Sequence, residues 1–277
     1  MKLLDYSIVF LCIVTALLLP SFMSEQESMA YSRYGMQYHA RLDHAIDDGL
    51  FAMMEQDTGE RVILNRNRCV ETFYQSFFAN FGMLDDVQAQ ERIKHHIPCI
   101  GIVEQGRVSF LYREWNNQNG ENELVDTWSA YIPYEYEEGG YRYRFFVGSK
   151  RDTVIVYIPS KNEWVEGTRD DLARQGTEFL WLRDQALFEQ IRRNTIMKVI
   201  KESMEDLLTK QNLFAQQYGW NYHTYIPEGI KQDWCRTIDD IGMIVLFQGY
   251  PVKGTLGKTY TRFVFSGART YKNERSS

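Results

Sequence analysis

One stretch constrains this chain more than any other: Ile8 to Leu19 reads I-V-F-L-C-I-V-T-A-L-L-L, without a charge and with one Thr. Extended to Tyr6 and Met23, it reaches the lower limit for a helix that crosses a bilayer, about 17 residues. Lys2 and the terminal amine precede it and Glu25 and Glu27 follow it. The positive-inside bias then puts the N-terminus in the cytoplasm and everything after the run outside. The expectation is a single-pass membrane protein with an extracytoplasmic C-terminal domain. Two other readings of the run stay open. A cleaved secretory signal would use Ser28-Met29-Ala30 as its small-x-small site, and a short apolar run can also be a buried helix. A lipoprotein signal is excluded, since Phe10-Leu11 and not small residues precede Cys12.

Beyond Pro20 the chain becomes polar yet keeps helical spacing. From Ser24 to Gln56 there is no proline, and Leu42, Ile46, Leu50, Met53 and Met54 recur on one face. The membrane helix is therefore expected to run on, through a kink at Pro20, into a long amphipathic helix weakened at Gly35 and Gly49. A second helix fits Arg68 to Phe81, whose stripe of Val70, Phe73, Phe77, Phe78 and Phe81 reads as core. Asp85-Asp86 resembles the cap of a short helix ending before Pro98.

From Cys99 the period changes to that of strands. Cys99–Glu104, Arg107–Glu114, Leu124–Pro133, Tyr141–Gly148 and Thr153–Pro159 are separated by turn residues, which predicts an antiparallel meander. Thr168-Arg-Asp-Asp171 has the form of a capping box opening a helical region to about Tyr218, with Arg192-Arg193 and Lys198/Lys201 on a solvated face. Strands are expected again near His223–Ile226, Ile241–Phe247 and Thr259–Phe265. The predicted class is α+β: an N-terminal transmembrane helix continuing into an amphipathic helix, then an antiparallel meander sheet packed with a long helix. The predicted divisions are an anchor over 1–23, a helical stalk and linker helices over 24–97, and an extracytoplasmic α+β domain over 98–277.

Chemistry is harder to find. A net charge of −6 supplies no concentrated basic face, so nucleic acid is not an expected partner. His95, His96 and Cys99 come nearest to a metal pattern, but a structural zinc site needs four ligands and no neighbouring spacing supplies them. The carboxylate pairs Asp47-Asp48, Asp85-Asp86, Asp170-Asp171 and Asp239-Asp240 are sequence neighbours, which rarely converge in one cleft. The motifs of nucleotide-binding loops, zinc proteases and nucleophile elbows are absent. Cys69, Cys99 and Cys235 permit one disulfide in an oxidising compartment, with the pairing open. No catalytic residue, metal ligand or cofactor is assigned.

Asp5 is the most informative acid, because a carboxylate at the edge of an apolar span either reaches the headgroups or pairs with a cation such as a neighbour's terminal amine. Asp5, the run Ile8–Leu19, Pro20 and the helix to about Gln56 together resemble a pilin or pseudopilin, the TadE-like small pilins of tight-adherence systems included. The likeness covers roughly the first fifth of the chain. It implies an acid early in an apolar helix, a proline kink, an amphipathic continuation and an extracytoplasmic α+β domain. Here the acid is Asp instead of Glu, and no glycine precedes Asp5 or Tyr6 for a prepilin peptidase. What the resemblance implies is a minor pilin or assembly component, with Asp5 and Pro20 as its assembly residues. The expected function is thus a non-enzymatic, membrane-anchored component of a cell-surface or secretion assembly, with the membrane and other subunits as partners. A surface-anchored or secreted hydrolase and an extracytoplasmic ligand-binding domain are the alternatives.

Overall fold

A computed structural model describes residues 3–55, 63–118, 121–216, 221–222, 238–253 and 257–268; for some, most of 3–21 among them, it describes the backbone alone. The first element is a helix of 51 residues, α1 (Leu3–Met53), which runs unbroken through Pro20. At helical rise it is about 77 Å long. Only its C-terminal part joins the head: Tyr38, Leu42, Ala45, Ile46, Leu50 and Met53 are buried. Two short strands, β1 (Met54–Glu55) and β2 (Ile63–Leu64), pair after it.

The chain then returns along α1 as α2 (Arg66–Asn80). Asn65 caps it by accepting from the Arg68 amide, and the aromatic stripe buries Phe73, Phe77 and Phe78. Gly82 closes the helix in the left-handed conformation, φ 69°, with the Met83 amide donating to the Phe78 carbonyl at 2.8 Å. The close approach of the two helices explains a glycine that helix propensity disfavours. A Cβ on Gly49 would lie 2.9 Å from the Cys69 carbonyl oxygen and 3.0 Å from Phe73 Cβ. The short helix α3 (Val87–Lys94) follows, capped by Asp86, whose carboxylate accepts from the Ala89 amide at 2.9 Å.

The strands build two antiparallel sheets. The larger takes β3 (Cys99–Glu104), β4 (Arg107–Gln118), β5 (Glu121–Trp128), β6 (Ile132–Pro133), β11 (Ile241–Pro251) and β12 (Thr259–Ala268), in the order β12-β11-β3-β4-β5 with β6 beside β4. The smaller is a meander of β7 (Glu135–Glu138), β8 (Tyr141–Phe145), β9 (Thr153–Ile158) and β10 (Glu163–Thr168). The fold is α+β with antiparallel sheets and a long helix, but the single expected meander is in fact divided. The reason lies in burial. β3 is buried at all six positions, and β11 from Ile241 to Phe247. Strands apolar on both faces need cover on both sides. In β9 burial alternates, so the smaller sheet keeps one wet face. β11 therefore returns across the sequence to pair with β3, Met243 opposite Ile102 and Ile244 opposite Gly101.

Cover comes from the helices. The α1–α2 pair packs on one face of the larger sheet, Phe77 and Phe81 against Phe247. The long helix α5 (Gln185–Ala215) packs against β3, β4 and β7 and reaches the smaller sheet, where Phe188 meets Phe145. The expected helix from Thr168 is broken in two. Thr168 caps only the four-residue α4 (Arg169–Leu172); an extended Gly176 and a 3₁₀ stretch, Thr177–Arg183, intervene. Asp184 then restarts the helix by accepting from the Ala186 and Leu187 amides. The expected strand from Tyr141 stops at Phe145, ahead of a turn at Gly148–Lys150. The expected strand near His223–Ile226 lies outside the described residues. Residues on either side of position 97 share one buried core.

Candidate functional site

Two features of the head bear on function: the helical arm it carries and the polar clusters on and within it. The arm is defined by where α1 loses contact with the head. Asp47 meets Ser266 Oγ at 3.3 Å, Asp43 meets Arg262 at 3.1 Å, His39 Nδ1 lies 3.1 Å from the Tyr260 hydroxyl, and the Tyr31 hydroxyl donates to the Thr259 carbonyl at 3.4 Å. α1 thus descends along β12, and Tyr31 and Tyr34 are the most N-terminal of its side chains packed against the core. From Tyr31 back to Leu3 the helix projects about 42 Å. Its described Phe, Ile, Leu and Met side chains are bare: Phe10 is 69% exposed, Leu18 62% and Phe22 60%. Asp5 and Pro20 both belong to this arm, and their side chains lie outside the described residues. Only some of the arm's side chains belong to the described residues, and among the described residues no helix is long and apolar enough to cross a membrane.

The predicted metal and acid candidates are scattered. His95 ends α3, while His96 Nδ1 lies 3.0 Å from the Gln248 carbonyl oxygen. Burial lowers both imidazoles below their ordinary value. Cys99 is buried on β3, and burial pushes its thiol up to about 12. Cys69 is likewise pushed up to about 12, its Sγ 3.9 Å from Met243 Sδ. Both are free thiols, and Cys235 lies outside the described residues. Among the described residues, no group of three His, Cys, Asp or Glu side chains is placed to hold a metal ion. Nor do the carboxylate pairs converge: Asp48 accepts from Ser76, Asp86 caps α3, and Asp171 bonds the Thr168 hydroxyl.

The strongest polar cluster was expected to be a solvated helix face, and half of it is the reverse. Lys198 and Lys201 are indeed exposed, facing Glu202 and Glu205. The Arg192 side chain is fully buried. Its Nη2 bonds Asp239 and, at 2.6 Å, Glu189, and its Nη1 donates to the Phe146 carbonyl at 3.2 Å. Arg193 adds a fork to Asp239, Nη2 to Oδ2 at 2.5 Å. Burial pushes the Asp239 carboxyl up, but hydrogen bonds from Arg193 and Arg192 outweigh it and hold the group below the usual range. With the Gly148 amide donating to the Asp239 carbonyl at 2.6 Å, the cluster ties α5, the end of the smaller sheet and the entry to β11 together.

The wet face of the smaller sheet carries Arg142, Arg144, Tyr157 and Trp164. The Arg144 guanidinium lies 4.0 Å from the Trp164 ring and Arg142 4.6 Å from the Tyr157 ring. Beside them, Glu137, Glu138, Gly139, Gly140, Arg142 and Tyr157 line a shallow cleft of about 250 Å³. One ion pair crosses strands on this face, Arg144 with Glu135 at 2.6 Å, and the Arg142 guanidinium lies over the Tyr157 and Trp164 rings. No family model matches the chain, and no curated protein or solved structure matches it either.

Proposed function

We propose that this chain is a non-enzymatic, membrane-anchored component of a cell-surface or secretion assembly, in its specific form a minor pilin-like subunit, with the arm in the bilayer and the head outside. The observation that carries the reading is the bare apolar arm. Each large apolar side chain left in water forgoes about 1.5–3 kcal/mol of burial. An apolar stripe would suit one partner helix, whereas the Ile8–Leu19 run is apolar all round, which suits lipid. From Leu3 to Met23 the helix rises about 30 Å, the thickness of a hydrocarbon core. Lys2 before the run and Glu25 and Glu27 after it favour the orientation with the head outside. A head fastened by the internal cluster of Arg192, Arg193, Glu189 and Asp239 suits a rigid packing role.

A protease added to intact cells or spheroplasts should digest the head. A fully protected head, or a chain found wholly in the soluble cytosolic fraction, would refute the topology. One observation favours a second reading. The Ser28-Met29-Ala30 site falls where the head's hold on α1 begins, so cleavage there would leave the head entire. A mature chain starting at Tyr31 would select that reading.

A further inference from the structure

The partners of α1 move along β12 as the helix runs toward the arm: Ser266, Arg262, Tyr260, then Thr259. The end of the β11–β12 hairpin is consequently the part of that sheet nearest the apolar arm. It presents two exposed lysines, Lys253 and Lys258. Lys258 Nζ lies 5.7 Å from the centre of the Tyr31 ring, so the hairpin end flanks the helix itself. Arg33 is exposed at the same level of α1, and Tyr31 and Tyr34 are half-buried there.

The level matters. From Met23, where the apolar run ends, to Tyr31 the helix rises about 12 Å. The headgroup layer on one side of a bilayer takes up about 5–8 Å of that. An extended lysine side chain, with an apolar stem and a charged tip, covers most of the remainder. Tyrosines at such a level suit the membrane–water boundary, where one end of the ring is wet.

We propose that Lys253 and Lys258, with Arg33, form a cationic collar that binds the phosphate groups of bilayer phospholipids and holds the head against the membrane surface. The proposal rests on the arm being a bilayer span. Glu25 and Glu27 oppose it, since they lie between Met23 and the collar and repel the same phosphates. The collar therefore has to be read lysine by lysine, not from overall affinity.

The test uses the full chain, reconstituted in vesicles of phosphatidylcholine and phosphatidylglycerol or held in uncharged maltoside micelles. Lysine acylation by an N-hydroxysuccinimide ester is followed site by site by mass spectrometry. Lys150 and Lys161, exposed on turns of the smaller sheet, serve as internal references. Lys253 and Lys258 should react roughly fivefold more slowly in vesicles than in micelles, the ratio expected for one lysine attracted to an anionic surface. Lys150 and Lys161 should keep their rates, and high salt should remove the difference. If all four lysines keep their rates while the chain resists alkaline carbonate extraction, the collar is wrong and the span stands. If carbonate extracts the chain, the span fails and the collar fails with it.

Discussion

Replacing Asp239 by Ala isolates the fastening inside the head. Arg192 has no exposed side-chain surface, and its Nε already finds no hydrogen-bond partner among the described residues. Deleting Asp239 leaves this guanidinium with Glu189 and the Phe146 carbonyl alone. Removing one partner of a buried pair costs about 3–5 kcal/mol, because the other charge remains buried and uncompensated. Glu189 still faces Arg192 at 2.6 Å, which places the expected cost near the lower end, about 3 kcal/mol. Arg193 is about a third exposed, and its pair with Asp239 adds at most about 1 kcal/mol. Urea unfolding followed by tryptophan fluorescence should show the midpoint fall with an unchanged slope. Arg192→Met, which removes the buried charge and fills the space, should cost less than Asp239→Ala. The reasoning would be refuted by an Asp239→Ala loss under about 1 kcal/mol, or by Arg192→Met proving the more damaging. The same pair fixes an acid limb. Asp239 is held below its unfolded value, so its contribution is present above about pH 4 and is lost as pH falls through the folded value. Asp239→Ala should flatten that limb.

Gly49→Ala should destabilise the head by about 1–3 kcal/mol despite Ala's better helix propensity, since its Cβ meets the Cys69 carbonyl and Phe73; thermal unfolding against wild type checks the sign. Burial holds His39, His95 and His96 below the ordinary imidazole value, so the folded head disfavours their protonation. Stability should therefore fall as pH drops below about 6.5, and His96→Asn should weaken that dependence in urea midpoints measured across this range.

How much of this was legible depended on whether the signal was local. The α2 stripe, the Asp86 cap and the run of β9 are written in short windows, and all three occur where the spacing puts them. β7, E-Y-E-E, and β10, E-W-V-E-G-T, carry too little apolar pattern to read as strands; pairing with β8 and β9 makes them so. The break before α5 rests on one extended glycine and one capping aspartate inside an otherwise helical pattern. The pairing of β11 with β3 spans more than a hundred residues, yet it leaves a trace: C-I-G-I-V-E and I-G-M-I-V-L-F are apolar without alternation, which marks a strand covered on both faces. Arg192 misled for a related reason. On a helix among acids it looks solvated, and only the distant Asp239 and the Phe146 carbonyl reveal why it is buried. The arm's residues Asp5 and Pro20 remain what the sequence makes them.

Asp5 separates a subunit of an assembly from a mere tether, and the length of α1 sets its depth. If Met23 marks the outer edge of the hydrocarbon, Asp5 lies about 27 Å below it along the helix axis, just inside the inner edge of a core about 30 Å thick. A carboxylate there bears only part of the cost that a charge carries at mid-bilayer, so a lone anchor can hold it near the headgroups. Pairing with a cation on a neighbouring arm would instead take the carboxylate out of lipid, and arms staggered along their axes, as in a helical filament, bring such groups together. Asp5→Ala should leave insertion intact, or slightly improved, while lowering the yield of cross-linked oligomers and surface display; Asp5→Glu should preserve most of both. Oligomers and display unchanged in Asp5→Ala would reduce the arm to a tether and remove the pilin-like reading of this residue.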